Sequence, residues 1–157
     1  MFKKHFMRNT IVFLISYIII LNFYIKMDEV KKSENFDSKE EITVFHKIVA
    51  GEIPSTKVYE NDDVYAFRDI EPQAPVHVIV VPKKMQGLNM LSSAKEEHVP
   101  ILGKLLYACS VIAKQEKLDN GYRVVINCGK DGCQSVNYLH IHLFGGQKMG
   151  WPTGTKA

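Results

Sequence analysis

Apolar and polar positions change their period several times along this chain, and each change marks an element. From Ile11 to Ile25 the residues are almost continuously apolar behind Lys3, Lys4 and Arg8. That charge-then-apolar order is the pattern of a signal peptide, but Asn22, Phe23, Tyr24, Ile25 and Lys26 offer no small-residue cleavage site. The run is also shorter than the about 20 residues that cross a bilayer. Residues 1–26 therefore read as a hydrophobic N-terminal extension, either an uncleaved signal anchor or a segment upstream of an alternative start at Met27. Residues 27–42 are charged and poor in aliphatics, a flexible polar lead-in. One domain follows, over 43–157.

Within it, Thr43 can cap a short helix that carries Val44, Phe45 and Ile48 on one side and stops at Gly51. Residues 57–60 and 64–69 flank Asn61-Asp62-Asp63, a hairpin signal in which Val64 and Ala66 alternate with Tyr65 and Phe67. A nearly continuous apolar strand over 76–81 is interrupted only by His77. Between about 97 and 118, Ile101, Leu102, Leu105, Leu106, Cys109, Ile112 and Ala113 recur at helical spacing. Pro100 must lie in the first turn of that helix or mark a break before it. Asp119-Asn120-Gly121 ends it, and residues 122–127 make another strand. The expected class is α+β: an antiparallel meander sheet of about five strands with one long and one short helix.

The last strand, over 137–146, carries the chemistry. Leu139, Ile141 and Leu143 share one face, and Tyr138, His140, His142 and Phe144 share the other. The aliphatic face suits a core, which leaves both imidazoles where a ligand reaches them, with backbones about 6.5 to 7 Å apart. A pair of half-exposed surface histidines is one reading. A zinc site with His77 as third ligand is another, although no carboxylate or thiolate completes an obvious set and Cys128 and Cys133 are not a C-x-x-C pair. The third is a nucleophilic histidine with a helper. The loop over 127–135 favours it, because Gly129 and Gly132 let backbone amides turn inward as an anion nest and Ser135 adds a hydroxyl. A phosphate cradled there lies against His140.

Composition narrows the rest. A chain of 157 residues with 46% apolar content suits a single domain with a real core. The net charge of +3 and pI near 8.7 are mild and the lysines scattered, so no nucleic-acid partner is expected. Three cysteines, Cys109, Cys128 and Cys133, make no disulfide framework, which fits the cytoplasm. The secretory pathway or a membrane anchor through residues 11–25 is the alternative.

Gly132-Cys133-Gln134-Ser135-Val136, then His140-x-His142, Gly145-Gly146 and Trp151-Pro152 resemble the histidine triad superfamily, in its Hint or protein kinase C inhibitor-like branch. Phe67-Arg68-Asp69-Ile70, Pro72-Gln73-Ala74-Pro75 and His77 to Lys84 extend the resemblance over about 43–152. It implies a twofold homodimer built on the long helix and its neighbouring strand. It also implies hydrolysis of purine nucleoside phosphoramidates, AMP joined to an amine, through a nucleotidyl-histidine and without metal or cofactor. Purine nucleotides such as AMP and GMP, or adenosine, are then the small-molecule partners. His140 would be the nucleophile, its second ring nitrogen bonded to the backbone carbonyl at His142. His142, His77 and the nest amides would hold the phosphate or the imidazole, and Ser135 would assist the leaving group. Asp69 would hold the ribose, Phe45, Ile48, Phe67 and Ile70 the base, and Asn127 and Cys133 would border the phosphate or sugar. Tyr138 stands where the family motif has its first histidine, and activity is expected to survive that change. The alternatives are a diadenosine polyphosphate hydrolase, a nucleotide-binding module with vestigial catalysis, and a zinc-binding regulator.

Overall fold

A computed structural model of the chain describes residues 33–34 and 42–151. The hydrophobic extension, nearly all of the polar lead-in and Pro152 lie outside the described residues. The elements run α1 (Val44–Val49), β1 (Lys57–Glu60), β2 (Val64–Arg68), β3 (Val76–Pro82), α2 (Val99–Gln115), β4 (Tyr122–Val125) and β5 (Ile141–Gly145). One-turn 3-10 helices at Leu91–Ser93 and Glu96–His98 lead into α2. Among the described residues, no helix is long and apolar enough to cross a membrane.

All five strands pair antiparallel in the order β1-β2-β3-β5-β4. Chain neighbours pair as far as β3, and β5 then enters between β3 and β4. The histidine strand is thus held on both edges, with His142 opposite Ile79 of β3 and Val125 of β4. The β1–β2 turn forms as its sequence suggests: the Asn61 side-chain oxygen accepts the amides of Asp63 at 2.9 Å and Val64 at 2.8 Å, a local bond that mimics a backbone turn.

Period-two alternation divides the sheet between two cores. Val78, Val80, Ile141 and Leu143 face α2, where Leu105, Ala108, Cys109 and Ile112 meet them. Phe67, Ile79, Val81 and Tyr138 face the other way, under Phe45 and Ile48 of α1. Each fully buried aliphatic side chain contributes about 1.5 to 3 kcal/mol, so the register of β5 is strongly fixed, because a one-residue slip would exchange its aliphatic and imidazole faces.

Two boundaries differ from the pattern. Leu106, expected in the apolar stripe of α2, is 51% exposed beside Tyr107 at 69%, because residues 105, 108, 109, 112 and 113 form the stripe and position 106 is rotated about 100° from 105. Ladder pairing of β5 begins at Ile141 rather than near 137. Residues 136–138 bend instead, with the Tyr138 amide donating to the Val136 carbonyl at 2.8 Å. The predicted faces survive that bend: Leu139 still joins the α2 core and Tyr138 the α1 core.

Candidate active site

On the α1 side of the sheet lies a cavity of about 320 Å³, at the lower end of the range that takes a small ligand. Phe45 and Ile48 from α1, Phe67, Asp69 and Ile70 from the end of β2, and Ser135, His140 and His142 all line it. The sequence reading thus placed eight side chains around one space from three separate stretches. Ile70 forms an exposed rim. Ile53, Pro54, Ser55 and Val136 also line the cavity and were not foreseen; their one signal was adjacency to the short helix and to Ser135. Phe45 sets the wall, its ring edge-on to Phe67 at 5.5 Å and to His140 at 5.2 Å between centroids.

His140 is almost wholly buried, at 2% exposure, and its Nδ1 lies 2.6 Å from the Tyr138 carbonyl oxygen. A carbonyl only accepts, so Nδ1 carries the proton, and in the neutral form of the ring the lone pair lies on Nε2. This corrects the acceptor expected at the His142 carbonyl. Residue 142 sits in ladder pairs on both sides, whereas residue 138 lies in the bend before the ladder starts, where its carbonyl can turn to the ring.

His142 is arranged the opposite way. The Gln73 amide donates to His77 Nδ1 at 3.2 Å, which leaves the His77 proton on Nε2, 2.9 Å from His142 Nδ1. His77 therefore donates to His142, and His142 holds its own proton on Nε2. Burial, helped by the neighbouring His140 and His77, pushes the His142 pKa down to about 3, so the ring is neutral at physiological pH. His77 itself is buried behind His142 and does not line the cavity. Asp69 faces it, with Oδ2 at 3.4 Å from His77 Nε2, while Oδ1 accepts the Glu71 amide at 2.8 Å.

Asp69, His77 and His142 bring one donor atom each within 4.8 Å of one another, a different trio from the His77, His140 and His142 of the metal reading. They do not fit zinc as they stand. Nitrogens about 2.0 to 2.1 Å from a tetrahedral zinc sit some 3.3 Å apart, wider than the 2.9 Å bond between the two rings. Ligation through His77 Nε2 would also move its proton to Nδ1, against the Gln73 amide that already donates there.

The loop before β5 departs from the expected nest. Three of its amides donate inside the loop: Gly129 to the Gln134 side-chain oxygen, Cys133 to the Lys130 carbonyl and Gln134 to the Gly129 carbonyl, each at 3.0 Å. The first of these acceptors belongs to Gln134, a buried side chain. Its amide nitrogen donates to the carbonyls of Asn89 at 2.9 Å and Val136 at 3.0 Å, and so ties the loop to the segment before α2. Asn127 and Cys133 stand behind the wall, bonded to each other through the Asn127 amide and the Cys133 carbonyl at 3.4 Å, and neither lines the cavity.

Residues 50–149 match the HIT domain family model. The chain is similar to a "14 kDa zinc-binding protein" of Zea mays, 58% identical over 112 residues that cover 71% of this chain and 88% of that protein. It is similar to "Adenylylsulfatase HINT1" of Arabidopsis thaliana, 56% identical over 112 residues, 71% of this chain and 76% of that one. Among solved structures it resembles a HIT family hydrolase of Legionella pneumophila, 39% identical with a TM-score of 0.69, over 72% of this chain and all of that one.

The depressed His142 pKa makes a prediction about stability. An unfolded chain takes up this proton near pH 6.5 and the folded one only near 3, so the stabilisation is complete above 6.5 and is lost as pH falls toward 3. Urea unfolding across that window should therefore show a shallower acid decline for His142→Gln than for the wild type. Parallel curves would contradict the buried neutral ring.

Proposed function

The chain belongs to the HIT domain family, in its Hint branch, and we propose that it is a nucleotide hydrolase that cleaves adenosine 5′-monophosphoramidates by passing the nucleotidyl group through His140. The observation that carries this reading is the 2.6 Å bond from His140 Nδ1 to the Tyr138 carbonyl, beside a mostly apolar cavity wall. With Nδ1 protonated, the neutral ring carries its lone pair on Nε2, and the side chain lines a slot whose mostly apolar wall suits a nucleoside.

In the proposed first step, His140 Nε2 attacks the α-phosphorus and the P–N bond to the amine breaks. The departing nitrogen is a poor leaving group until it gains a proton, which it takes from the Ser135 hydroxyl as that hydroxyl takes one from solvent water. The adduct's positive ring remains bonded to the Tyr138 carbonyl. His142 donates its Nε2 proton in a hydrogen bond to a non-bridging phosphate oxygen, opposing the charge that builds there. Water then attacks phosphorus and gives up a proton to solvent, the bond to His140 breaks with its electron pair returning to Nε2, and AMP leaves. Asp69 is assigned to the ribose hydroxyls, and Phe45, Ile48, Phe67 and Ile70 to the base. A purine nucleotide is accordingly the proposed small-molecule partner, with the enzyme in the cytoplasm, in keeping with three free cysteines.

The adenylylsulfatase activity in the name of the Arabidopsis relative supports a second reading, in which the leaving group is sulfate rather than an amine. Sulfate departs without a proton, so the two readings separate at Ser135. Ser135→Ala should slow phosphoramidate turnover about 10²-fold and adenylyl sulfate turnover far less, in steady-state assays of AMP release. His140→Asn should lower both by about 10³-fold or more while AMP still binds. Wild-type turnover by His140→Asn would overturn the mechanism. AMP binding by a wild type that turns over neither substrate would favour a binding module instead.

The proposal includes a homodimer. Val99, Leu106 and Tyr107 of α2 are exposed, as is Tyr122 on the edge strand β4. A twofold pairing that covers them fits an isologous interface. Sedimentation should find wild type at twice the chain mass and Tyr107→Glu at one; equal masses would remove this surface from the interface.

A further inference from the structure

We infer that the Tyr138 side chain is a positioning residue for His140: its phenol, anchored on the Pro82 carbonyl, holds in place the backbone carbonyl that sets the imidazole's tautomer. The inference rests on the reading of His140 as nucleophile and concerns the residue at which this chain departs from the family motif.

The need for an anchor follows from where the ladder stops. The last pair between β3 and β5 is Val80 with Ile141, so residues 138–140 run beyond it. Continued in register, residue 138 would meet Lys83, whose amide already donates to the Asp63 carbonyl at 2.7 Å. Backbone pairing with β3 therefore cannot restrain the carbonyl of residue 138. The side chain of the same residue crosses that gap. The Tyr138 hydroxyl donates to the Pro82 carbonyl oxygen at 2.6 Å, between residues 56 apart in the chain.

The ring that carries the hydroxyl is fixed as well. It is 1% exposed, with the His46 ring edge-on at 4.6 Å and Phe45 at 6.2 Å between centroids. Phe45 in turn touches His140 at 5.2 Å, so the anchor and the nucleophile share one packed wall. Burial raises the phenol pKa to about 12, which keeps the hydroxyl protonated and donating throughout the physiological range. One residue thus grips β3 with its side chain and orients His140 with its backbone.

The test compares Tyr138→Phe, which keeps the ring and deletes the donor, with Tyr138→His, which restores a ring N–H at the family's position. Turnover and KM are measured on an adenosine phosphoramidate, and His140 ring nitrogens are read by 15N NMR. Tyr138→Phe should lower kcat about three- to tenfold, the equivalent of one hydrogen bond, with KM unchanged. Its His140 nitrogen shifts should move toward the average of the two tautomers, and Tyr138→His should recover part of the rate. Wild-type kcat and wild-type shifts in Tyr138→Phe would overturn the inference. So would a loss of rate with the Nδ1–H signature intact, since that marks packing alone. A wild type with no turnover would instead remove the parent reading, and the nitrogen shifts would still decide whether the phenol sets the tautomer.

Discussion

A proton held on one side of the His140 ring decides what the other side can do. The 2.6 Å bond to the Tyr138 carbonyl assigns that proton to Nδ1, and the lone pair is left on Nε2 without any change of charge. Without that acceptor the ring would sample both tautomers, and Nε2 would carry the lone pair only part of the time. The fold makes that contact stable by placing it at a seam, where β5 leaves its ladder with β3 and the chain is free to bend. Strand pairing up to Ile141 and the α1 aromatics then hold both sides of the seam.

The second imidazole is polarised by a separate chain that starts at a backbone amide. Gln73 donates to His77, His77 to His142, and His142 is left presenting an N–H. Two histidines on the same face of one strand thereby offer opposite groups, a lone pair and a donor. Period-two geometry puts them side by side, and β3 brings His77 onto the same face diagonal to His142, two residues along, since His77 pairs with Phe144 and Ile79 with His142. Burial keeps His142 neutral, so its Nδ1 remains the acceptor for His77 and its Nε2–H the donor. The same short N–N bond disfavours a metal between the rings.

Much of this was legible in the residues because the strongest signals are local. The alternation in β2 and β5, the Asn61 turn and the helical spacing of Leu105, Cys109 and Ile112 each depend on neighbours within a few residues, and each forms as read. The cavity residues Phe45, Phe67, Asp69, Ser135, His140 and His142 converge as expected. What escaped depends on partners that no spacing reveals. The acceptor for His140 lies at residue 138 because the ladder ends early, which is a matter of pairing between distant strands. Three loop amides bond inside the loop, one of them to the Gln134 side chain, which also reaches the Asn89 carbonyl, 45 residues away. Leu106 was misplaced on α2 for a simpler reason: an apolar side chain one step from the stripe counts toward the pattern but faces out. Asn127 was expected at the phosphate and instead braces Cys133, since short amides satisfy the nearest carbonyl.

The proposed mechanism turns on a transient bond between His140 and phosphorus. The direct measurement is a single-turnover reaction with an adenosine phosphoramidate, quenched at neutral or alkaline pH and mapped by peptide mass spectrometry. The account predicts an adenylyl group on the peptide that contains His140, localised to that residue by fragmentation, rising before AMP appears and decaying as it does. AMP released in that first turnover with no adduct, or an adduct localised to His142, would contradict it.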